Sequence, residues 1–280
     1  MFNNNTFQTF LVNFSSKDKG NFSDGFDPTV QFLNFLAELE VKFVFEAAVH
    51  NIGDELKFYF AVPAKISEKI IVKAKKIWEG AEIRPSYGYE IFSPSGVTKG
   101  CYLRQKLPAV FSIDFQLKNS ASVFSSFLKG FSNVNEVGEG AVIQIIARPA
   151  PSSFKKNISK ILKKISKGLD WRVALKSYLE EGVSREDYLK NLKAKNAQPL
   201  FSVNAVLVAS APSQFQTDEI INGFVDGLGE IRKSFFGLRV EKSSNMKGLI
   251  DSFFSKDIDD SQEMLLTSQE LATIFHFPAN

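Results

Sequence analysis

The chain holds one cysteine, Cys101, and only two histidines, His50 and His276. A single thiol excludes an intramolecular disulfide, and neither histidine has a Cys or carboxylate at zinc-ligand spacing. A Cys101–histidine nucleophile pair is formally open, but a lone cysteine in a strand-like stretch reads as an inert apolar residue. No apolar run approaches the roughly 20 residues that cross a bilayer. No stretch has the make-up of a signal peptide, so the expected compartment is the reducing cytosol. Charge is close to balanced, with 34 Lys+Arg against 31 Asp+Glu and a net +3 over 280 residues. That is far from the concentrated field of a dedicated nucleic-acid binder. The acidic run "KDIDDSQE" lacks the glycine and final glutamate of a calcium loop and reads as a solvated linker.

Phenylalanine is abundant instead, with 28 residues; heavy Phe, Lys and Asn use is what an A/T-rich genome produces and is no functional signal. Its placement still shows structure. "TFLVNF" reads as a strand, followed by a helix in "DPTVQFLNFLAEL", with Asp27 as cap and Pro28 as first residue. "VKFVFEAAVH" and "ELKFYFAV" alternate as two strands around the turn "NIGDE". A helix follows in "ISEKIIVKAKKIW", then a short strand in "AEIRPS". The order strand, helix, strand, strand, helix, strand is that of a ferredoxin-like unit.

The order then repeats. "LPAVFSIDFQ" reads as a strand, "SASVFSSFLKGF" as a helix and "GAVIQIIARPA" as a strand buried on both faces. "FSVNAVLVASAP" is a strand, "TDEIINGFVDGLGEI" a helix capped by Thr217, and "GLRVEKS" a last strand. The expected fold class is therefore α+β, two tandem ferredoxin-like units at 1–90 and 91–263, with a helical insertion at 151–198 and a closing segment at 264–280.

In the insertion, Phe154, Ile158, Ile161, Leu162, Ile165 and Leu169 share one helix face, and Lys155, Lys156, Lys160, Lys163, Lys164 and Lys167 take the rest. The favoured expectation is a solvated helix packed on its own sheet. The sharper one is a basic surface for phosphates or acidic lipid head groups. In the closing segment, Thr267 and Glu270 have capping-box spacing, so a short helix should start there with Leu271, Ile274, Phe275 and Phe277 as a candidate docking cluster.

"GLGEIRKS", Gly227 to Ser234, almost spells a phosphate-binding loop. In such a loop a strand precedes the glycines and a helix begins at Lys-Ser. Here helical spacing runs into the motif from Ile220, Ile221 and Phe224, and Arg232 stands where a glycine belongs. No ATP site is expected there, and neither a cofactor nor a catalytic residue elsewhere.

"FEAAVHNIGDELKFYFAVPAKISEKIIVKAKKIWEGAEI", "GEGAVIQIIARPA", "VNAVLVASAP" and "LTSQELATIFHFPAN", in that order, resemble the N-terminal, pre-motor region of type IV secretion and conjugation-type ATPases, the TraG-like and HerA/FtsK-like motors. The resemblance implies a non-catalytic assembly and docking domain at the cytoplasmic side of the inner membrane. Its implied partners are the cognate ATPase motor, neighbouring subunits and inner-membrane secretion components, with weak contact to DNA or anionic membrane. In the family a phosphate-binding loop follows soon after the "FHFP" segment, and these 280 residues contain none. An alternative reading is a nucleic-acid-binding protein using Lys-rich helices on ferredoxin-like sheets, although "LKFYFAVP", with Phe58 and Tyr59, lacks the aromatic order of an RNA-recognition strand.

Overall fold

The computed structural model describes residues 7–14, 25–51, 55–93, 95–113, 120–168, 170 and 184–278. The first half contains β1 (Phe7–Asn13), α1 (Phe26–Glu38), β2 (Phe43–Val49), β3 (Lys57–Pro63), α2 (Ser67–Ile77) and β4 (Glu82–Ser86). The second contains β5 (Val97–Gln105), α3 (Ser120–Leu128), β6 (Gly140–Pro149), α4 (Ser152–Ser166), α5 (Arg185–Ala197), β7 (Leu200–Ala211), α6 (Gln214–Gly227), α7 (Gly229–Lys233) and β8 (Leu238–Lys242). α8 (Met246–Ser255), β9 (Met264–Thr267) and α9 (Ser268–Ile274) follow.

These nine strands make one antiparallel sheet in an α+β chain, ordered β4-β1-β3-β2-β6-β7-β5-β8, with β9 on β7. The second half lays down its strands in the mirrored order of the first. The halves meet where β2 pairs β6, from Phe43 opposite Ala147 to Val49 opposite Ala141. The residue-90 boundary thus divides the sequence but not the sheet or the core, which are continuous across the seam. β7 pairs β5 through Ala205–Ala211, and its first residues, Leu200–Val203, pair β9. The Gln105 side-chain oxygen accepts from Leu265 N at 2.9 Å, stitching the end of β5 to β9.

Alternation assigns the two sheet faces. Phe43, Phe45, Ala47 and Val49 of β2 join the main core beneath α1, α2, α3 and α6. Phe10, Phe32, Phe45, Phe58, Phe60, Phe201, Phe275 and Phe277 all lie in that core, so much of the phenylalanine content fills one layer. The opposite face carries a smaller cluster around Tyr59, Tyr102, Val206 and Val208, covered by Leu249 and Phe253 of α8 and by Ile91.

Several local expectations are corrected. Residues 107–113 of "LPAVFSIDFQ" form a turn and not a strand, because Phe111 N bonds back to Pro108 O at 3.0 Å; residues 114–116 lie outside the described residues. The strand of that half is instead "VTKGCYLRQ". α6 is capped four residues earlier than expected, by Ser213 accepting from Gln216 N at 3.2 Å. Thr217 is internal and fully buried, its hydroxyl donating to Ser213 O and Val97 O. α1 begins at Phe26 after Gly25, with no side-chain cap from Asp27. The acidic run is pinned and not a free linker: Asp257 pairs Lys42 at 2.7 Å, Asp260 pairs Arg148 at 3.0 Å, and Asn204 bonds both backbone groups of Asp259.

Candidate functional site

α4 and α5 enter between β6 and β7, and Ala150 N bonded to Leu200 O at 2.8 Å ties the insertion at its neck. Ile158 and Ile165 of α4 are buried with Tyr188 and Leu192 of α5 and with Phe111, Leu200 and Leu265, so the insertion has its own apolar core. Ser159 donates to Asn196 across the helix pair at 3.1 Å. Ser184 and Asp187 close a capping box at the start of α5, and Ser184's bonds hold the Asp187 carboxyl below its usual value. Leu169 lies outside the described residues.

Packing the apolar face inward turns the lysines outward. Lys156, Lys160, Lys163, Lys164 and Lys167 are exposed and Lys155 is half-buried. α4 contains no Asp or Glu, and among the described residues none of the six lysines makes an ion pair. The arrangement can attract phosphates; it offers no nucleophile or base.

Beneath the insertion lies a keystone that composition gave no reason to single out. Lys195 of α5 and Glu270 of α9 are both fully buried and paired at 2.9 Å, with the Lys195 ammonium also donating to Leu265 O. Glu270 accepts from Thr267 N at 2.6 Å and from Ile113 N at 2.5 Å, while Thr267 caps α9 in a complete capping box. Burial pushes the Lys195 ammonium below its ordinary value, opposed by the Glu270 carboxylate.

The candidate docking cluster is corrected by its burial. Leu271, Ile274, Phe275 and Phe277 have at most 1% exposure. α9 lies between α1 and α3. Phe275 packs on Phe45 and Phe124, with ring centroids 5.6 and 5.0 Å away, and Phe277 packs on Phe45 and Trp78 at 5.0 and 5.1 Å. These side chains join the two helical layers over the seam and present no face to a partner.

On the opposite sheet face, Glu46 of β2 sits directly across from Gln144 of β6. Gln144 Nε2 donates to Glu46 Oε1 at 2.7 Å, and Lys256, at a left-handed φ of 55° ending α8, donates to the same oxygen at 2.9 Å. Gln144 Oε1 lacks a hydrogen-bond partner among the described residues. Burial, then the Glu46 charge, pushes the Tyr89 phenol well above 10.0. The sequence held a signal for this pair: one polar residue at the centre of each buried strand, "FVFEAAV" and "VIQII".

The remaining sequence candidates are apart from one another. Cys101 is buried in the main core, where desolvation raises its thiol to about 12, incompatible with a thiolate nucleophile at neutral pH. His50 meets Tyr59 at 2.8 Å, and His276 is buried with Nδ1 2.8 Å from Ala272 O. "GLGEIRKS" runs from the last residue of α6 through α7, with β8 following: helix then strand, the reverse of a phosphate loop. A polar cavity of about 330 Å³ lies between Tyr102, Asn245 at the head of α8, and Asp259. Among the described residues no helix is long and apolar enough to cross a membrane. No protein-family model matches the chain, and no curated protein matches it.

Proposed function

We propose that the chain is a non-catalytic assembly and docking domain of a type IV secretion or conjugative-transfer ATPase, working at the cytoplasmic side of the inner membrane. The observation that carries this reading is the convergence of the four resembling segments. One supplies most of β2, all of β3 and α2 and the start of β4; the others supply β6, most of β7, and the end of β9 with α9. Far apart in sequence, they come together at the seam: β2 pairs β6, β6 pairs β7, and Phe275 and Phe277 of the last segment pack on Phe45 of the first. A set of unrelated chance likenesses has no reason to assemble into one packed unit.

The reading takes each half as a ferredoxin-like unit, and the strand orders β4-β1-β3-β2 and β6-β7-β5-β8 support it. Its partners are the ATPase motor, neighbouring subunits or inner-membrane components of the same machine, and it assigns the chain no cofactor. Buried seam residues would set the domain's shape, and contacts would come from its exposed helices and sheet edges. Cross-linking of cells followed by peptide mass spectrometry tests it. Links from lysines of this chain to a motor ATPase or its membrane partners are expected, and links confined to unrelated proteins would sink the proposal.

A further inference from the structure

We infer that the lysine stripe of α4 binds the sugar–phosphate backbone of a nucleic acid, without reading its bases. The inference stands on the surface itself and not on the docking role.

At about 100° per residue, Lys156, Lys160, Lys163, Lys164 and Lys167 fall within an arc of about 100° on α4, roughly opposite the side that carries Ile158 and Ile165. The stripe runs about 16 Å along the helix at 1.5 Å per residue. The five lysines of α4 and Lys167 at its C-cap, with no acidic residue among them, carry twice the net +3 of the whole chain. Positive charge is therefore segregated onto this appended helix. Ordinary solvated helices intersperse the two signs, and the neighbouring α5 does so with Glu186 and Asp187 beside its Lys190 and Lys193.

Two features favour a polynucleotide over a lipid surface. A membrane-surface helix inserts its apolar face among the acyl chains, but α4's apolar face is committed to α5 and Leu265, and its other exposed residues are Ser152, Ser153, Asn157 and Ser166. The charge also forms a line. Duplex DNA presents one phosphate per about 3.4 Å of axis on each strand, so about 16 Å offers roughly five phosphates to five lysines. Lysine ammonium groups are point charges without the planar fork that reads base edges, and among the described residues of α4 no exposed aromatic side chain is present to stack on a base. Binding should therefore be electrostatic and insensitive to sequence.

The test uses the purified chain and a fluorescently labelled mixed-sequence duplex, followed by anisotropy from about 50 mM salt upward. Log affinity should fall against log salt with a slope of about −4 to −5, the release expected for about five neutralised phosphates. Replacing Lys156, Lys160, Lys163 and Lys164 with Gln should weaken binding at least about tenfold and flatten the slope by about 3.6, with the melting temperature unchanged because the side chains are exposed. Arginine at the same four positions should retain binding. Lys69, Lys75 and Lys76→Gln on α2 should leave it largely intact. No binding by the parent at low salt, equal binding by the glutamine variant, or binding to phosphatidylserine-containing vesicles but not to DNA would each overturn the inference.

Discussion

Lys195 and Glu270, 75 residues apart, form an ion pair at 2.9 Å with neither side chain exposed to solvent. Through it the helical insertion, the turn before α3 and the C-terminal helix share one carboxylate, since Ile113 N and Thr267 N also bond to Glu270. Removing one partner strands the other as an uncompensated buried charge. Lys195→Ala should cost about 3–5 kcal/mol in urea unfolding, and Lys195→Met combined with Glu270→Gln should cost clearly less than the two single changes added. Additive costs would mean that the two groups do not act as a pair.

The C-terminal segment should behave as core. Phe275→Ala and Phe277→Ala should each lower stability by about 3–5 kcal/mol, the usual cost of emptying a buried phenylalanine site. Their effect should reach both halves, because these rings bridge α1 and α3 over β2. A double variant with an unchanged unfolding midpoint would contradict this burial.

Gly25, at the start of α1, packs so closely on the last described residues that an added Cβ would overlap the Phe277 carbonyl. Gly25→Ala should therefore loosen the "FHFP" segment, costing about 1–3 kcal/mol as overpacking does. Faster proteolysis after α9, with β-sheet signal retained, is the expected readout. Protection equal to that of the parent would mean that the close approach is relieved at no cost.

Alkaline pH should destabilise the chain. Burial raises Cys101 from 9.0 to about 12, and it also raises Tyr89 and Tyr102 above 10.0. The unfolded state therefore releases these protons first, and the stability they confer, complete below about pH 9, is lost as pH climbs toward the folded values. Lys195 has the opposite sign: its folded value lies below 10.5, so its contribution grows as pH rises through that interval. With three losses against one gain, the urea midpoint should fall above about pH 9, and Cys101→Ala should make the fall shallower. Cys101 should also resist a thiol reagent at neutral pH until the chain unfolds. Prompt labelling of the native chain would contradict its burial.

The sequence revealed most clearly those elements whose pattern is set by burial on one side. β2 and β3 stood out because Phe43 and Phe45, and Phe58 and Phe60, alternate toward one core. β5 was missed because Lys99, Gly100 and Arg104 dilute its pattern. Gly100 lies there because α8 crosses the strand, leaving a Cβ only 3.0 Å from the Leu249 side chain. The α4 lysines were legible as a helix face, since exposure follows directly from amphipathic spacing. Lys195 was not: α5 is polar on nearly every side, and only the approach of α9 distinguishes that lysine from Lys190 or Lys193. Nor could alternation foretell that two halves would share one sheet, because a seam between β2 and β6 is a long-range pairing with no local signature.

The most direct test of the proposed docking role is sedimentation velocity of the purified chain mixed with the motor domain of a type IV secretion or conjugation-type ATPase encoded with it. The account predicts a co-sedimenting complex at micromolar concentrations, formed without nucleotide binding to this chain. Two boundaries that sediment independently, even at roughly a hundred micromolar where contacts near 5 kcal/mol would register, would contradict it.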